Sequence, residues 1–389
     1  MQTDDPLPRL AARFEAFAAH ECPEEPLYIA LCRIAARQPE VLELLLAAPE
    51  TQQKPNLLLA AVHERLLADA DADDGAAADP LAAYFASVGG SRAPDAELAP
   101  QFLRFVRQQA EPLRERIATG RTQTNEIGRC AVLWPALAAI AQRRGPAPLA
   151  LFDFGCSAGL NLEVDRYRCR YESAQGAFEI GPAEPPASPL LSCRLLGAPP
   201  PAALWRTTWQ LADRLGVDLA PVDLRDDAAL RWLRACVWPS DTPRMRRLQQ
   251  AAALARPARR ELRASEDGLG ELSAWLDRLP PGVTPVVFNS WVLAYFTPPA
   301  LAAHTARLRA LVQQRGLVWL SAEDAARTAA VTGQPPPAGV DALSAEARAE
   351  PGSHTWWALT EPGTSGPNSE PTTSLLARSH PHGRWLQWL

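Results

Sequence analysis

The stretch Phe152-Asp-Phe-Gly-Cys-Ser-Ala-Gly-Leu-Asn161 decides the fold of this chain. It continues an apolar run that begins at Leu149, which is typical of a short buried strand, and its small residues predict a tight turn into a helix. Because glycine lets a backbone pass close to a ligand or to a packed neighbour, the turn is a candidate ligand site. The sequence therefore predicts a strand, a glycine loop and a helix in succession.

Strand-like and helix-like segments alternate downstream of this loop. The strand-like segments lie at 215–219, 260–264, 284–290, 316–321, 355–360 and 375–379. The helix-like segments lie at 227–235, 242–255, 269–279 and 299–314. Strands joined by helices of this length form βαβ crossovers, so we predict an α/β fold: a Rossmann-like, mainly parallel sheet with helices on both faces.

The residues before this region show a different pattern. Apolar residues recur at helical spacing, and no convincing strand precedes residue 148. We therefore predict an α-helical N-terminal domain, residues 1–147, followed by the Rossmann-like domain, residues 148–389. His63 lies on an apolar helix of the first domain and is predicted to be a core histidine. Two proline-rich segments, near 166–208 and 332–351, interrupt the second domain and are predicted to be insertions or long loops.

The composition excludes several function classes. The chain has 389 residues, of which 47% are hydrophobic, enough for two or three domains. Its net charge of -5 provides no basic excess for a phosphate backbone, so we expect a small-molecule partner rather than nucleic acid. The seven cysteines are scattered, and no apolar stretch is long enough to cross a bilayer. We expect no disulfide framework, no metal site, no membrane association and a cytoplasmic location.

The glycine loop has competing interpretations. In one of them it is only a tight turn that serves helix–strand packing. In another, Gly155-Cys-Ser-Ala-Gly159 is the G-x-S-x-G elbow of a serine hydrolase, with Ser157 as nucleophile and Asp324 with His354 or His382 as its partners. That elbow normally follows several strands, whereas this strand is the first in the chain. A dinucleotide-binding fingerprint is disfavoured, because it requires a third glycine that the loop lacks.

A further interpretation assigns the loop to S-adenosylmethionine. Ligands of open parallel sheets bind beyond the carboxyl ends of the strands, where Asp153 would take an ammonium group and the loop amides a carboxylate. The pattern acid-x-Gly-x-Ser-x-Gly resembles the first motif of class I methyltransferases. The cofactor-binding residues that this resemblance implies in the loop are Asp153, Gly155, Ser157, Gly159 and Asn161.

The same resemblance implies residues at other strand ends. Asp218, after the second strand, would bind the ribose hydroxyls, provided that the proline-rich segment before it is an insertion. Asp267, past the third strand, would lie near the adenine amino group. Asn289, Ser290 and Tyr295, after the fourth, are the candidate catalytic residues, because they would contact the methyl acceptor. Helix capping is the structural alternative for the acids and for Asn289.

An unusually polar segment precedes the first strand. It runs from Arg121 to Arg129 and ends before an apolar helix. Helix initiation explains it in part. Alternatively, Gln123, Asn125 and Glu126 line the substrate cleft as part of a lid.

Several motifs together resemble a bacterial family known only as a domain of unknown function. They are Thr122-Gln-Thr-Asn-Glu126, Gly155–Asn161, Asp165-Arg-Tyr167, Asp218-Leu-Ala-Pro221, Trp238-Pro239 and His380-Pro-His-Gly383. The similarity covers nearly the whole chain but supplies no substrate. We predict a class I S-adenosylmethionine-dependent methyltransferase that acts by positioning an unidentified acceptor. The alternatives are a non-catalytic ligand sensor or interaction protein on the same fold, and the Ser157 hydrolase.

Overall fold

The computed structural model describes residues 5–72, 78–123, 125–182, 188–258, 260–337, 354–363 and 369–389. The chain divides into two compact units: Met1–Thr124 with Arg225–Gln249, and Asn125–Leu224 with Gln250–Leu389. The predicted boundary lay at 147/148; in this division residues 125–147 group with the second unit, and residues 225–249, from the middle of the chain, group with the first.

Helices are found in both units. The α-helices of the described residues are α1 (Pro6–His20), α2 (Pro26–Ala35), α3 (Pro39–Leu42), α4 (Pro55–Ala72), α5 (Leu98–Gln108), α6 (Ala110–Thr119), α7 (Cys130–Arg144), α8 (Ala202–Arg206), α9 (Asp227–Ala235), α10 (Thr242–Ala255), α11 (Gly268–Arg278), α12 (Pro298–Arg315) and α13 (Ala325–Thr332). Short 3-10 helices span Glu43–Ala47, Glu50–Gln52, Pro80–Tyr84, Ala86–Val88, Ile127–Arg129, Leu160–Arg166 and Leu293–Tyr295. None of the helices that the structure describes combines the length and apolarity that a membrane span needs.

The strands all belong to the second unit. They are β1 (Leu149–Phe154), β2 (Arg168–Ser173), β3 (Gly176–Ile180), β4 (Leu190–Leu196), β5 (Leu211–Asp218), β6 (Glu261–Ala264), β7 (Thr284–Ser290), β8 (Val318–Glu323), β9 (Thr355–Glu361), β10 (Thr372–Ser379) and β11 (Trp385–Trp388). They form one sheet in the order β3-β2-β4-β11-β10-β9-β8-β7-β1-β5-β6.

The first unit is helical wherever it is described. Asp5 caps α1 by accepting a hydrogen bond from the Leu7 N–H at 3.0 Å, and prolines occupy the first turn of α1, α2 and α3, where a missing N–H costs no hydrogen bond. Trp232 and Ala235 of α9 are buried in the same apolar core as α4 and α5. Burial of this apolar face explains why the segment 225–249 returns to the first unit.

The sheet of the second unit confirms a mixed α/β protein with a mostly parallel sheet. Six of its ten neighbouring strand pairs are parallel. The central strands have the order β6-β5-β1-β7-β8 and are all parallel, so the chain moves outward from β1 on one side and then returns to build the other side. Such a reversal opens a crevice at the carboxyl ends of the strands, here β1 and β7, where open sheets bind ligands.

The proline-rich segment 166–208 is not a long loop. Its described residues form β2, β3, β4 and α8, and β4 pairs in parallel with β11, which extends the sheet to eleven strands. Buried and accessible side chains alternate along Arg168–Ser173, as expected for a strand with one covered face. Of the second proline-rich segment, 332–351, only residues 332–337 are described, and the rest of that predicted insertion lies outside the described residues.

His63 is a buried histidine of α4. Its Nδ1 lies 3.1 Å from the Ala235 carbonyl oxygen and its Nε2 lies 2.6 Å from the Ser87 hydroxyl, so both ring nitrogens have partners. Because a carbonyl only accepts, Nδ1 carries the proton of the neutral ring. Burial lowers the pKa of His63 to about 4.

We expect His63 to destabilise the folded state in acid. Its pKa is lower in the folded than in the unfolded chain, so the unfolded state takes up the proton first as the pH falls from about 6.5 towards 4. The free energy of unfolding should fall by about 3 kcal/mol more in the wild type than in His63→Gln across this window. Urea unfolding at several pH values measures the difference, and parallel pH profiles for the two proteins would contradict the expectation.

Candidate functional site

The loop after β1 has a strained backbone. Gly155, Ser157 and Gly159 have φ values of +80°, +51° and +65°. Within the described part of the chain, Ser157 and Trp291 are the two non-glycine residues with positive φ, and each lies just after one of the two strands that border the crevice, β1 and β7. Strained residues of this kind persist only where their surroundings fix them, and they cluster at functional sites.

The side chains of Asp218 and Asn125 both hold this loop by hydrogen bonds. Asp218, the last residue of β5, accepts hydrogen bonds from the Ser157 N–H at 2.9 Å and from the Ala220 N–H at 3.0 Å. The amide of Asn125 donates to the Ser157 hydroxyl at 2.6 Å and accepts from the Ala158 N–H at 3.0 Å. The structure thus brings the predicted residues Asp218, Asn125 and Ser157 together.

Asp153 is a buried carboxyl without a complete set of partners. Its side chain is 2% exposed, and Oδ2 makes no hydrogen bond within the described residues. Burial raises the pKa of Asp153 to about 7; Asp218 adds to this effect and Arg129 opposes it. Since an unpaired buried carboxylate is costly, this oxygen is the atom that a cationic ligand group would satisfy.

Asn289 makes its hydrogen bonds inside the sheet. It is 1% exposed; its Oδ1 accepts from the Trp319 indole at 2.7 Å, and its Nδ2 donates to Ser321 Oγ at 3.1 Å and to Glu323 Oε1 at 2.8 Å. These contacts direct the amide towards β8 rather than towards a ligand. An acceptor contact by Asn289 therefore stays a prediction, and its observed contacts are structural.

The other two candidate catalytic residues lie near Arg129. Ser290 accepts hydrogen bonds from Arg129 Nη1 at its hydroxyl, 3.1 Å, and at its carbonyl, 3.4 Å. The Tyr295 side chain is 70% exposed, and its hydroxyl interacts electrostatically with Arg129, Asp218 and Glu323. Tyr295 is therefore placed to meet a ligand that enters at the strand ends.

Two charged residues of the site were not predicted. Arg129 is buried and lowers the pKa of both Asp153 and Glu323. Glu323 is 0% exposed, and burial raises its pKa to about 7 against the opposing effect of its hydrogen-bond donors and of Arg129. Arg129 is the last residue of the polar segment noted in the sequence, so its position could have identified it as a candidate site residue. Glu323 had no such signal, because its strand was predicted to end at Ser321.

The C-terminal turn places Arg129. The Arg129 Nε donates to the Pro381 carbonyl at 2.9 Å, and a Cβ at Gly128 would lie only 2.2 Å from the carbonyl oxygen of His382. A side chain at Gly383 would meet the backbone of Gly128 at 2.0 Å. These two glycines allow the predicted closing turn to pack directly against the residues before α7.

Two predicted cofactor residues have structural contacts. Asn161 lies in the 3-10 helix after the loop, and its Oδ1 accepts from the Cys130 thiol at 3.4 Å. Asp267 is exposed and caps α11 by accepting from the Gly270 N–H at 3.0 Å. Capping is the structural alternative that the sequence left open for Asp267.

The predicted cleft residues of the polar segment before α7 differ in what they contact. Asn125 reaches the loop, as described above, and Glu126 accepts the Gly128 N–H at 2.8 Å, which caps a 3-10 helix. Gln123 belongs to the first unit, and Thr124 lies outside the described residues.

The acid predicted for a hydrolase triad has the contacts of a helix cap. Asp324 accepts the Arg327 N–H at 2.9 Å at the start of α13. The Nδ1 atom of His382 lies 4.0 Å from Glu126 Oε2. The positive φ of Ser157 remains a feature that this loop shares with a nucleophile elbow.

The fold and the site define an α/β protein with buried carboxyls and a glycine loop at the carboxyl ends of its central parallel strands. Residues 11–388 match the family described as "uncharacterized protein conserved in bacteria (DUF2332)", and the chain belongs to this family. No curated protein and no solved structure matches the chain. Within the described residues, no group of three or more His, Cys, Asp or Glu side chains could hold a metal ion.

Gly159 should tolerate a side chain less well than a glycine of the same conformation elsewhere. Its φ and ψ, +65° and +24°, are close to the +67° and +18° of Gly316 after α12. A Cβ at Gly159 would lie 2.6 Å from Leu262, whereas the space beside Gly316 is open. We expect Gly316→Ala to cost about 1 to 2 kcal/mol and Gly159→Ala to cost about 1 to 3 kcal/mol more. Denaturant unfolding measures both, and equal losses would show that Leu262 does not confine the loop.

Proposed function

We propose that this protein binds S-adenosylmethionine at the carboxyl ends of β1 and β5 and transfers the methyl group to a small-molecule acceptor. The observation that carries the proposal is the position of the glycine loop. It follows the strand at which the order β6-β5-β1-β7-β8 reverses, and the next strand, β5, ends beside it in Asp218. A Rossmann-like methyltransferase core requires this arrangement of a loop and a neighbouring acid.

The residues present fit the chemical groups of S-adenosylmethionine. The unpaired Oδ2 of Asp153 suits an ammonium group. Asp218 accepts one hydrogen bond at each oxygen, so each oxygen retains capacity for a ribose hydroxyl. Leu219, the next residue, is 64% exposed and offers an apolar surface to a planar base.

The charge of the site also favours this cofactor. Three carboxyls, those of Asp153, Asp218 and Glu323, face two guanidinium groups: Arg129 interacts with Asp153 and Glu323, and Arg260 donates to the Ala158 carbonyl of the loop at 2.6 Å. When bound, S-adenosylmethionine supplies a methyl group on a positively charged sulfur. An excess of acidic groups stabilises such a cation, whereas an anionic ligand would be repelled. In this proposal the residues of the chain bind and orient the two reactants and exclude water, and Tyr295 and Ser290 would contact the acceptor.

Two alternatives are separated from this proposal by simple experiments. A ligand sensor on the same fold would bind S-adenosylmethionine without transferring its methyl group to any acceptor. A serine hydrolase, favoured by the motif and the positive φ of Ser157, would be labelled by a fluorophosphonate at that residue and would lose the label in Ser157→Ala.

Calorimetric titration with S-adenosylmethionine should show saturable binding that depends on Asp153. Asp153→Asn removes the charge that pairs with the ammonium group, and we expect the affinity to fall by about 10- to 100-fold. Asp277→Asn is the matched control, because Asp277 is an exposed acid whose partner is Arg315, at 2.6 Å. The absence of binding heat at millimolar ligand, or an unchanged affinity in Asp153→Asn, would refute the proposal.

The affinity should also depend on pH. The Asp153 carboxyl is ionised only above its pKa of about 7, and only the ionised form attracts the ligand ammonium. Binding should therefore strengthen as the pH rises from about 5.5 to 7.5, by up to about tenfold per unit below the pKa. The dissociation constants of the wild type and Asp153→Asn, measured across this range, should show a steep and a flat profile respectively. A flat profile in the wild type would mean that Asp153 does not ionise on binding.

A further inference from the structure

Glu323 is a buried acid whose two oxygens have unequal surroundings. Its Oε1 accepts three hydrogen bonds, from Asn289 Nδ2 at 2.8 Å, the Val292 N–H at 3.1 Å and the Leu293 N–H at 3.2 Å. Its Oε2 is buried and makes no hydrogen bond in the part of the chain that the structure describes. The carboxyl at the end of β8 thus holds the turn that follows β7.

The orientation of Asn289 is fixed independently of Glu323. The indole of Trp319 can only donate, and it donates to Asn289 Oδ1 at 2.7 Å. The Asn289 amide group must then point Nδ2 towards Glu323. The hydrogen bond between Trp319 and Asn289 therefore directs the Asn289 donor to Glu323 Oε1.

The turn that Glu323 holds is strained. Trp291, its first residue, has a φ of +57°, which a non-glycine residue rarely adopts. Its N–H donates to the Ala322 carbonyl at 3.1 Å and its indole donates to Thr355 Oγ1 at 2.8 Å. Contacts from β8 and β9 together keep the turn in this conformation, as strained segments require.

The turn ends at Tyr295. The Tyr295 N–H donates to the Val292 carbonyl at 3.1 Å, so the tyrosine is one hydrogen bond away from a residue that Glu323 holds. The charges of Asp218, at the end of β5, and of Glu323, at the end of β8, add to the raised pKa of the Tyr295 hydroxyl. Since β7, the strand that leads into this turn, borders the crevice, Tyr295 is an exposed side chain, 70% accessible, just beyond the strand ends.

We propose that Glu323 is a positioning residue: by fixing the turn after β7, it sets Tyr295 just beyond the strand ends, where the tyrosine contacts an acceptor with a planar or apolar portion. The effect of Glu323 on the turn does not depend on the proposed methyl transfer, whereas the contact of Tyr295 with an acceptor rests on it. An exposed aromatic ring contributes most to binding when an apolar or planar group covers it.

The position of Tyr295 can be measured directly by fluorine NMR of protein labelled with 3-fluorotyrosine. The chain has five tyrosines, and the other four, Tyr28, Tyr84, Tyr167 and Tyr171, are buried. Tyr295→Phe identifies the Tyr295 resonance by its loss. The four buried resonances report whether each variant is folded.

Two substitutions of Glu323 distinguish the effect of its side-chain length from the effect of its charge. Glu323→Gln keeps the length of the side chain and an acceptor oxygen but cannot ionise, whereas Glu323→Asp keeps the acid and is one methylene shorter. We expect the Tyr295 resonance to keep its position in Glu323→Gln. In Glu323→Asp it should move to the position of free 3-fluorotyrosine, while the buried resonances stay unchanged.

An unmoved Tyr295 resonance in folded Glu323→Asp would overturn the proposal, as would an equal displacement in both variants. If Glu323→Asp does not fold, hydrogen exchange of the wild type gives the answer. The amides of Val292 and Leu293 should exchange far more slowly than those of an unstructured peptide. Exchange at the rate of an unstructured peptide would show that Glu323 does not hold this turn. All these measurements are made without ligand, so a failure to bind S-adenosylmethionine would refute the proposed function and leave this result intact.

Discussion

The hydrogen bond from the Ser157 N–H to the Asp218 carboxylate fixes the arrangement on which the site depends. It joins the loop after β1 to the end of β5 and stabilises a backbone conformation that serine rarely adopts. Asn125 holds the same loop from its other side. Because the loop leaves the strand at which the sheet order reverses, its conformation determines what the crevice at the strand ends can bind.

Buried ionisable groups are the second property of this crevice. Asp153 and Glu323 each keep one oxygen without a hydrogen-bond partner in the described residues, and Arg129 interacts with both carboxyls. Buried carboxyls with raised pKa values are characteristic of functional sites, which is why these strand ends are the candidate site of the protein. Glu323 holds the turn after β7, and Asp153 is the carboxyl that we propose pairs with the ammonium group of the ligand.

Much of the fold could be predicted because the central elements have strong local signals. The strand 284–290 contains the apolar run Val286-Val-Phe288, and the structure has the same bounds. The strands within 166–208 were missed because they belong to the outer part of the sheet and lack a long apolar run, and because prolines precede and follow β4. The site was predicted where it coincides with the loop. Glu323 and Arg129 were missed because long-range contacts define their roles: the carbonyl that Arg129 binds belongs to Pro381, 252 residues along the chain.

A crystal structure of the protein grown with S-adenosylhomocysteine tests the central claim most directly. This ligand keeps the amino-acid end and the nucleoside of the cofactor and lacks the transferred methyl group. We expect the ribose hydroxyls at Asp218 and the ammonium group at Asp153, with Gly155, Ser157 and Gly159 all keeping positive φ values. A fully occupied ligand bound elsewhere, or crystals that contain none at saturating concentration, would contradict the claim.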